Sequence, residues 1–256
     1  MSHMPKRSPR RRVCLTLFLA LSGCVPTGRD WSDVDEEGAF LMYRRQSLIG
    51  EETFSIRSDG NAVVVRSLQG ENERGRITGV ETELRLGMDL SPTLYRSRRI
   101  SDSDTTNILE VVATAEGVAV REKEMDEVSV AASADFFPVH GNVPAAVEAM
   151  LYHRHLSRGL DVSPTLPRGE VVMTHRGTDV VRIAGTDVSL ERYVVEGINW
   201  GLRTVWLNEA DDLVALVYAN TQFREAIRSG YEEALPHFIA GHVEEQMRTQ
   251  IGRAHV

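Results

Sequence analysis

The nine residues Thr78–Leu86, Thr-Gly-Val-Glu-Thr-Glu-Leu-Arg-Leu, alternate between two kinds of side chain. From Val80 onward the even positions carry Val, Thr or Leu, and the odd positions carry Glu or Arg. Successive side chains of a β-strand point to opposite faces, so this period is typical of a strand with one face buried and the other in water. The stretch therefore predicts a half-buried β-strand.

Stretches of similar length continue on both sides, separated by turn residues such as Asp59-Gly60 and Glu116-Gly117. Short connections between neighbouring strands favour antiparallel pairing. The predicted strands are Ala39–Ile49, Glu51–Arg57, Ala62–Leu68, Thr78–Leu86, Leu94–Ile100, Asn107–Ala115, Val118–Glu122, Glu170–His175, Asp179–Ile183, Val188–Glu196, Leu202–Leu207 and Leu213–Ala219.

Three helices are predicted among these strands. One covers Val143–Arg158 and ends at Gly159, a second covers Gln222–Arg228, and a third follows Gly230. The third is amphipathic, with apolar residues at helical spacing. We expect an all-β, mainly antiparallel meander that forms a twisted sheet or half-barrel, with two or three helices covering it. Residues 39–256 are predicted to form this single domain.

The first residues have the pattern of an export leader. Lys6, Arg7 and Arg10–Arg12 form a basic region, and Val13–Leu21 is an apolar run of nine residues. A membrane-spanning helix needs about 20 apolar residues, whereas the central region of a secretory signal needs about 7–15. Residues 1–23 are therefore predicted to be a signal peptide.

Leu21-Ser22-Gly23-Cys24 resembles the lipobox of bacterial lipoproteins at all four positions. The resemblance implies that Cys24 is lipidated, that the leader is removed before it, and that residues 24–38 form a lipidated tether. More than one acyl chain makes a durable anchor. Val25 follows the cysteine, which by resemblance favours the periplasmic face of the outer membrane in a host with two membranes. An ordinary secretory signal is the alternative.

Charge and cysteine content exclude several kinds of function. The chain has a net charge of −8, and loss of the five basic leader residues leaves 24 basic against 37 acidic residues. An acidic domain without a basic stripe is not expected to bind nucleic acid. Besides Cys24, the chain has only Cys14, within the leader. The mature domain is thus expected to have no thiol for a disulfide, a zinc site or a nucleophile.

Histidines and carboxylates in the domain are candidate metal ligands. His153 and His155 lie two apart in a predicted helix and so point about 200° apart, which prevents joint chelation. His237 and His242, five apart, are no better placed. Asn208–Asp212 is acidic, but Ala210 breaks the alternation of a calcium loop, which favours a plain hairpin turn.

Three aromatic residues lie on or between two neighbouring predicted strands: Tyr193, Trp200 and Trp206. We interpret them as core residues, with a ligand-stacking platform as the alternative. Trp31, in the predicted tether, is expected either to reach the lipid headgroups or to have no contacts. The chain has no Gly-x-Ser-x-Gly, phosphate-loop or Gly-x-Gly-x-x-Gly motif. No catalytic residue, metal ligand or cofactor is predicted, and the ligand-binding residues are not identified.

Two further resemblances concern the domain. A lipobox followed by a long meander with covering helices is similar to the half-barrel lipoproteins and carriers of the LolA/LolB type. Gly201–Leu216 and Phe223–Leu235 resemble the β-rich domain that precedes the metal-dependent barrel of some exported amidohydrolases. That barrel lies outside the resemblance, so no catalytic residue is carried over.

These observations predict a non-catalytic cell-envelope lipoprotein, attached to the membrane through acyl chains on Cys24. Its concave apolar face is expected to bind a hydrophobic small molecule or an envelope protein. The alternative is an accessory lipoprotein that docks an exported hydrolase.

Overall fold

A computed structural model describes residues 29–73, 76–101, 104–123, 128–130, 135–139, 141, 143–198, 200–219 and 223–254. Fifteen strands in these ranges form one sheet. They are β1 Asp35–Arg44, β2 Ser47–Ser58, β3 Ala62–Glu73, β4 Arg76–Gly87, β5 Pro92–Ser101, β6 Asp104–Thr114, β7 Gly117–Glu122, β8 Val128–Val130, β9 Phe137–Pro138, β10 Val162–Leu166, β11 Glu170–Ile183, β12 Thr186–Glu196, β13 Arg203–Leu207, β14 Leu213–Ala219 and β15 Phe223–Arg228. The helices are α1 Ala145–Ser157 and α2 Leu235–Ala254, and a 3-10 turn, Glu232–Ala234, precedes α2.

The strand order is β8-β7-β6-β5-β4-β3-β2-β1-β15-β14-β13-β12-β11-β10-β9. Every neighbouring pair is antiparallel except β9 and β10, which are parallel. β9 at one edge contacts β5 near the other edge, which shows that the sheet curls strongly. The predicted antiparallel, half-barrel type of fold with covering helices is confirmed.

Helix α1 lies inside the curled sheet. All of its residues from Ala145 to His155 are buried, so the helix meets protein on every side. It packs in one apolar cluster with the inward side chains of the strands, among them Phe40, Leu84 and Tyr95. A helix covered all round is a core element, unlike a helix that covers one face of a sheet. The helix predicted at Val143–Arg158 is thus confirmed, and its place is the interior of the barrel.

Helix α2 covers the outer face of the sheet. Phe238 packs on Trp206 with ring centroids 4.9 Å apart, and both side chains are fully buried. Strands β13 and β14 therefore have α1 on one side and α2 on the other, and β13 is buried throughout. This explains why Leu213–Tyr218 is a continuous apolar run, while Thr78–Leu86, whose outer face meets water, alternates.

The helix predicted at Gln222–Arg228 is wrong. Phe223–Arg228 is strand β15, which fills the sheet between β1 and β14. Its inward side chain Arg224 bonds Glu71 on β3 at 2.6 Å, so the strand is held by partners far away in the sequence. Tertiary pairing outweighs the helix propensity of six residues, which is weak in so short a segment.

The domain also begins earlier than predicted. Strand β1 starts at Asp35, whereas the predicted tether extends to residue 38. Trp31 is 7% exposed and meets His153 of α1 edge-on, with ring centroids 5.0 Å apart. Trp31 was expected to contact lipid headgroups or to have no contacts. Both expectations are wrong, because its indole is buried in the apolar core.

Candidate functional site

A buried carboxylate caps the helix inside the barrel. Glu52 of β2 accepts hydrogen bonds from the backbone N–H groups of Ala145 at 2.7 Å and Ala146 at 3.0 Å. Pro144, at the cap position of α1, provides no side-chain hydrogen bond. Two of the unpaired N–H groups that begin any helix are thus satisfied from the sheet, and the negative charge faces the positive end of the helix dipole.

The environment of Glu52 changes its acidity. Burial raises its pKa to about 7, the nearby Glu148 carboxylate acts in the same direction, and the two N–H bonds oppose the shift. Glu52 is therefore a carboxyl group that changes charge near neutral pH inside the protein.

A second buried group lies one turn further along α1. Glu148 accepts hydrogen bonds from Arg203 of β13 and, at 2.6 Å, from the Tyr152 hydroxyl. The Arg203 guanidinium lies 4.4 Å from the centroid of the Tyr218 ring. Burial opposes the charge on Arg203, but Glu148 outweighs it and raises the arginine pKa. Burial also raises the pKa of Glu148. A buried pair of this kind connects α1 to the sheet.

Little space is left where α1 packs on β1, β2 and β14. The void between the sheet and α1, lined by Phe40, Phe54, Ala146 and Leu213 among others, measures about 10 Å³. That is room for about one water molecule. The expected concave ligand-binding face is therefore filled at this place by α1, and the void has no space for a hydrophobic guest.

Larger hollows lie on the outside of the barrel. A groove of about 480 Å³ crosses the outer face of β2–β5. Its charged side chains pair with one another, as Arg66 does with Glu83 at 3.7 Å and Arg98 with Glu81 at 3.9 Å. Neighbouring opposite charges leave the groove without a strong field of either sign.

The second outer hollow is more apolar. It measures about 520 Å³, lies beside the β1–β2 hairpin and is lined by Leu41, Leu48, Ile49, Gly50 and Glu51. Leu48 is 61% exposed. An exposed large aliphatic side chain next to an apolar hollow is the kind of surface to which hydrophobic molecules bind.

The four histidines that are candidate ligands have separate partners in the structure. His153 approaches Asp212 at 3.4 Å, and Nδ1 of His155 is 3.0 Å from the Ser163 hydroxyl on β10. His242 is buried against Thr204 at 2.9 Å, while His237 meets Asp179 at 3.1 Å on the surface. In the described part of the chain, no group of three or more His, Cys, Asp or Glu residues is placed to hold a metal ion.

Asn208–Asp212 forms the predicted hairpin turn. The side-chain oxygen of Asn208 accepts hydrogen bonds from the backbone N–H groups of Ala210 and Asp212, both at 2.9 Å. Burial opposes ionisation of Asp212, but His153 and Arg29 outweigh it and hold its pKa below the usual value. These side chains bind the turn to the rest of the domain.

The three aromatic residues do not form a common surface. Trp206 is fully buried, Tyr193 is half-buried, and Trp200 is 87% exposed in the turn before β13. The core interpretation holds for Trp206 and is wrong for Trp200. Trp200 lies between Gly197 and Gly201, which both have positive φ angles, so a tight turn holds it outside.

Cys24 and residues 1–28 lie outside the described residues. Among the described helices, none is long and apolar enough to cross a membrane.

Glu52 was missed by sequence reasoning, although one signal was present. In Glu51–Arg57 the inward positions are Glu52, Phe54 and Ile56, so a charged residue stands where alternation requires an apolar one. A charge at such a position indicates a buried partner.

Among known proteins, a solved structure of unknown function has a similar fold. No family model matches the chain, and no curated protein matches it significantly. A solved structure, the β-barrel-like protein of domain of unknown function DUF1849 from Brucella abortus, is similar with a TM-score of 0.53 and 8% sequence identity. The match covers 76% of this chain and 95% of that one. At this identity the likeness shows a shared barrel-like fold.

Proposed function

We propose that this chain is a lipid-anchored protein of the bacterial cell envelope, non-catalytic, whose barrel-like domain binds a hydrophobic ligand on its outer surface. The lipobox residues Leu21–Cys24 support the anchor. The void of about 10 Å³ beside α1 supports an outer site, because a guest would have to displace a buried helix to enter there. Leu41 and Leu48, beside the hollow of about 520 Å³, are the residues that would contact the ligand.

The two buried carboxyl groups of the interior are out of reach of a substrate. Glu52, whose pKa burial raises to about 7, has the acidity that a general acid or base requires, and burial raises the pKa of Glu148 as well. Both are fully buried, and both are engaged by the backbone or by Arg203 and Tyr152. Such groups stabilise α1 and have no route to a substrate.

The anchor is tested by labelling. Cells that express the full chain are given radiolabelled palmitate, and the wild-type chain is compared with Cys24→Ala. We expect label in the wild-type chain and membrane fractionation that depends on Cys24. Equal fractionation of the two, or an unlabelled wild-type chain, would refute the anchor.

The outer ligand site is tested separately with a fluorescent fatty-acid probe. Leu48→Glu places a charge in the apolar hollow and is expected to weaken probe binding by about tenfold or more. Val180→Glu is the matched control, since Val180 is 60% exposed and does not line that hollow. Equal affinity of both variants, or no binding by the wild-type protein, would contradict this site.

The alternative is that this chain is an accessory protein that docks an exported hydrolase. In that case too the chain would be anchored through Cys24. Cross-linking in intact envelopes followed by mass spectrometry separates the two. A hydrolase recovered with wild-type protein and with Leu48→Glu alike would favour the accessory role.

A further inference from the structure

Helix α2 has two apolar faces on opposite sides. One face, with Phe238 and Gly241, is buried against the sheet. At 100° per residue the opposite side carries five exposed residues, which we name the outer seam. Its members are Pro236, Ala240, Val243, Met247 and Ile251. Val243, Met247 and Ile251 are 40%, 57% and 57% exposed, so their side chains have little cover from the domain.

The spacing of the outer seam fits a second helix. Its members follow one another at intervals of four, three, four and four residues, which is close to the alternation of coiled-coil contact positions. The stripe spans about 80° of the helix surface, narrower than the 100° or more of a face that lies on a core or on a membrane. A narrow stripe is typical of helix–helix packing.

The path of α2 carries this seam to one end of the domain. Phe238 packs on Trp206 and, four residues later, His242 bonds Thr204, so α2 runs antiparallel to β13. Its C-terminal half thus lies toward the end of the sheet opposite the Asn208–Asp212 turn. Arg29 enters at that turn, bonded to Asp212.

Distance from the anchor argues against a lipid surface as the occupant. Residues 24–29 reach at most about 17 Å, so a membrane bound through Cys24 would lie near the Asn208–Asp212 end. This step alone rests on the proposed anchor. The seam then faces away from that membrane.

Each edge of the outer seam is complementary to the same edge of a second copy. Glu244 and Arg248 lie along one edge, 2.7 Å apart, and Gln246 and Gln250 lie along the other. In an antiparallel helix pair each edge meets the same edge of the partner in reverse order, so Glu244 would face Arg248 of a second copy. A parallel pair would instead set the charged edge against the amide edge.

We propose that the outer seam pairs with the outer seam of a second copy of this chain, antiparallel and around a two-fold axis. The pairing places Val243 of one copy against Met247 of the other, and Ala240 against Ile251. A two-fold interface of this kind uses the same patch on both copies. It buries the exposed aliphatic side chains of α2. It also adds an ion pair between Glu244 of each copy and Arg248 of the other.

The first test measures pairing in the envelope. Two copies of the full chain with different epitope tags are expressed together, and co-purification is measured after mild solubilisation. Met247→Lys is expected to reduce co-purification by about tenfold, because it buries an unpaired charge in the interface. Val180→Lys, which changes a side chain of β11 that is 60% exposed, is the matched control and should pair as the wild type does.

The second test reads the orientation. One tagged copy carries Val243→Cys and the other Met247→Cys, and the parent chain without either change measures background. Antiparallel pairing is expected to give a disulfide between the two different copies in clear excess over Val243→Cys with itself. Excess of the self-linked product, or a Met247→Lys chain that pairs normally, would overturn the proposal. Cross-linking of the seam to a different protein, with no pairing of tagged copies, would also overturn it. Neither readout requires Cys24 to be acylated. A failure of the pairing proposal can therefore be distinguished from a failure of the proposed anchor.

Discussion

Glu52 and Ala145 lie 93 positions apart in the chain, yet the Glu52 carboxylate accepts the Ala145 N–H at 2.7 Å inside the barrel. The contact joins a strand of the sheet to the first turn of the interior helix. Because Ala146 donates to the same carboxylate, one side chain orients the N-terminus of α1.

Replacing Glu52 with Ala should destabilise the domain by about 2 kcal/mol, since two buried N–H groups of α1 lose their acceptor. The free energy of unfolding, from urea titration monitored by circular dichroism, measures the effect. Glu51→Ala is the control, because Glu51 lies next in the strand and is exposed. Equal effects of the two changes would contradict the capping role.

Glu52→Gln should change how stability depends on pH. The folded pKa of Glu52, about 7, lies above its ordinary value of 4.5, so the folded state holds the proton more tightly. The resulting stabilisation is complete below about pH 4.5 and is lost as pH rises toward 7, an effect on the order of 3 kcal/mol.

Glutamine does not titrate, so we expect Glu52→Gln to gain stability relative to wild type between these pH values. Unfolding titrations at several pH values check this. Parallel stability curves for the two proteins would show that Glu52 has no raised pKa.

Replacing Arg203 alone should lower the free energy of unfolding more than replacing Arg203 and its partner Glu148 together. Arg203→Met leaves Glu148 buried without its cation, at a cost of about 3–5 kcal/mol. The double variant Glu148→Gln with Arg203→Met removes both charges and is expected to recover part of that loss. A double-mutant cycle in urea measures the coupling.

Arg98→Met is the control for that cycle, since Arg98 and its partner Glu81 are about half exposed. It should change stability by less than about 1 kcal/mol. If Arg203→Met were equally mild, the buried ion pair would not hold α1 to the sheet.

Gly241→Ala should destabilise α2 although alanine is the better helix former. A methyl group at Gly241 would lie 2.8 Å from a ring carbon of buried Trp206. Overpacking typically costs about 1–3 kcal/mol, which outweighs the gain of roughly 1 kcal/mol from helix propensity. Unfolding followed by tryptophan fluorescence reports the change. Combining it with Trp206→Phe should relieve the clash, and a stabilised Gly241→Ala protein would contradict this packing.

Much of the sheet was predictable from local patterns. Alternation in Thr78–Leu86 and turn residues such as Asp59-Gly60 identified strands that pair with their sequence neighbours, where local geometry and tertiary structure agree. The export leader and Cys24 are likewise read from residues adjacent in the chain, and they remain predictions.

Other features depend on contacts between distant residues. Phe223–Arg228 is a strand because β1 and β14 lie on either side of it, and short segments take their structure from such partners. Apolar periodicity shows that a helix is buried, but it does not show whether the helix lies outside the sheet or inside it. The position of α1, the acidity of Glu52 and the small void beside α1 were decided by tertiary packing, because each arises where segments far apart in sequence exclude water together.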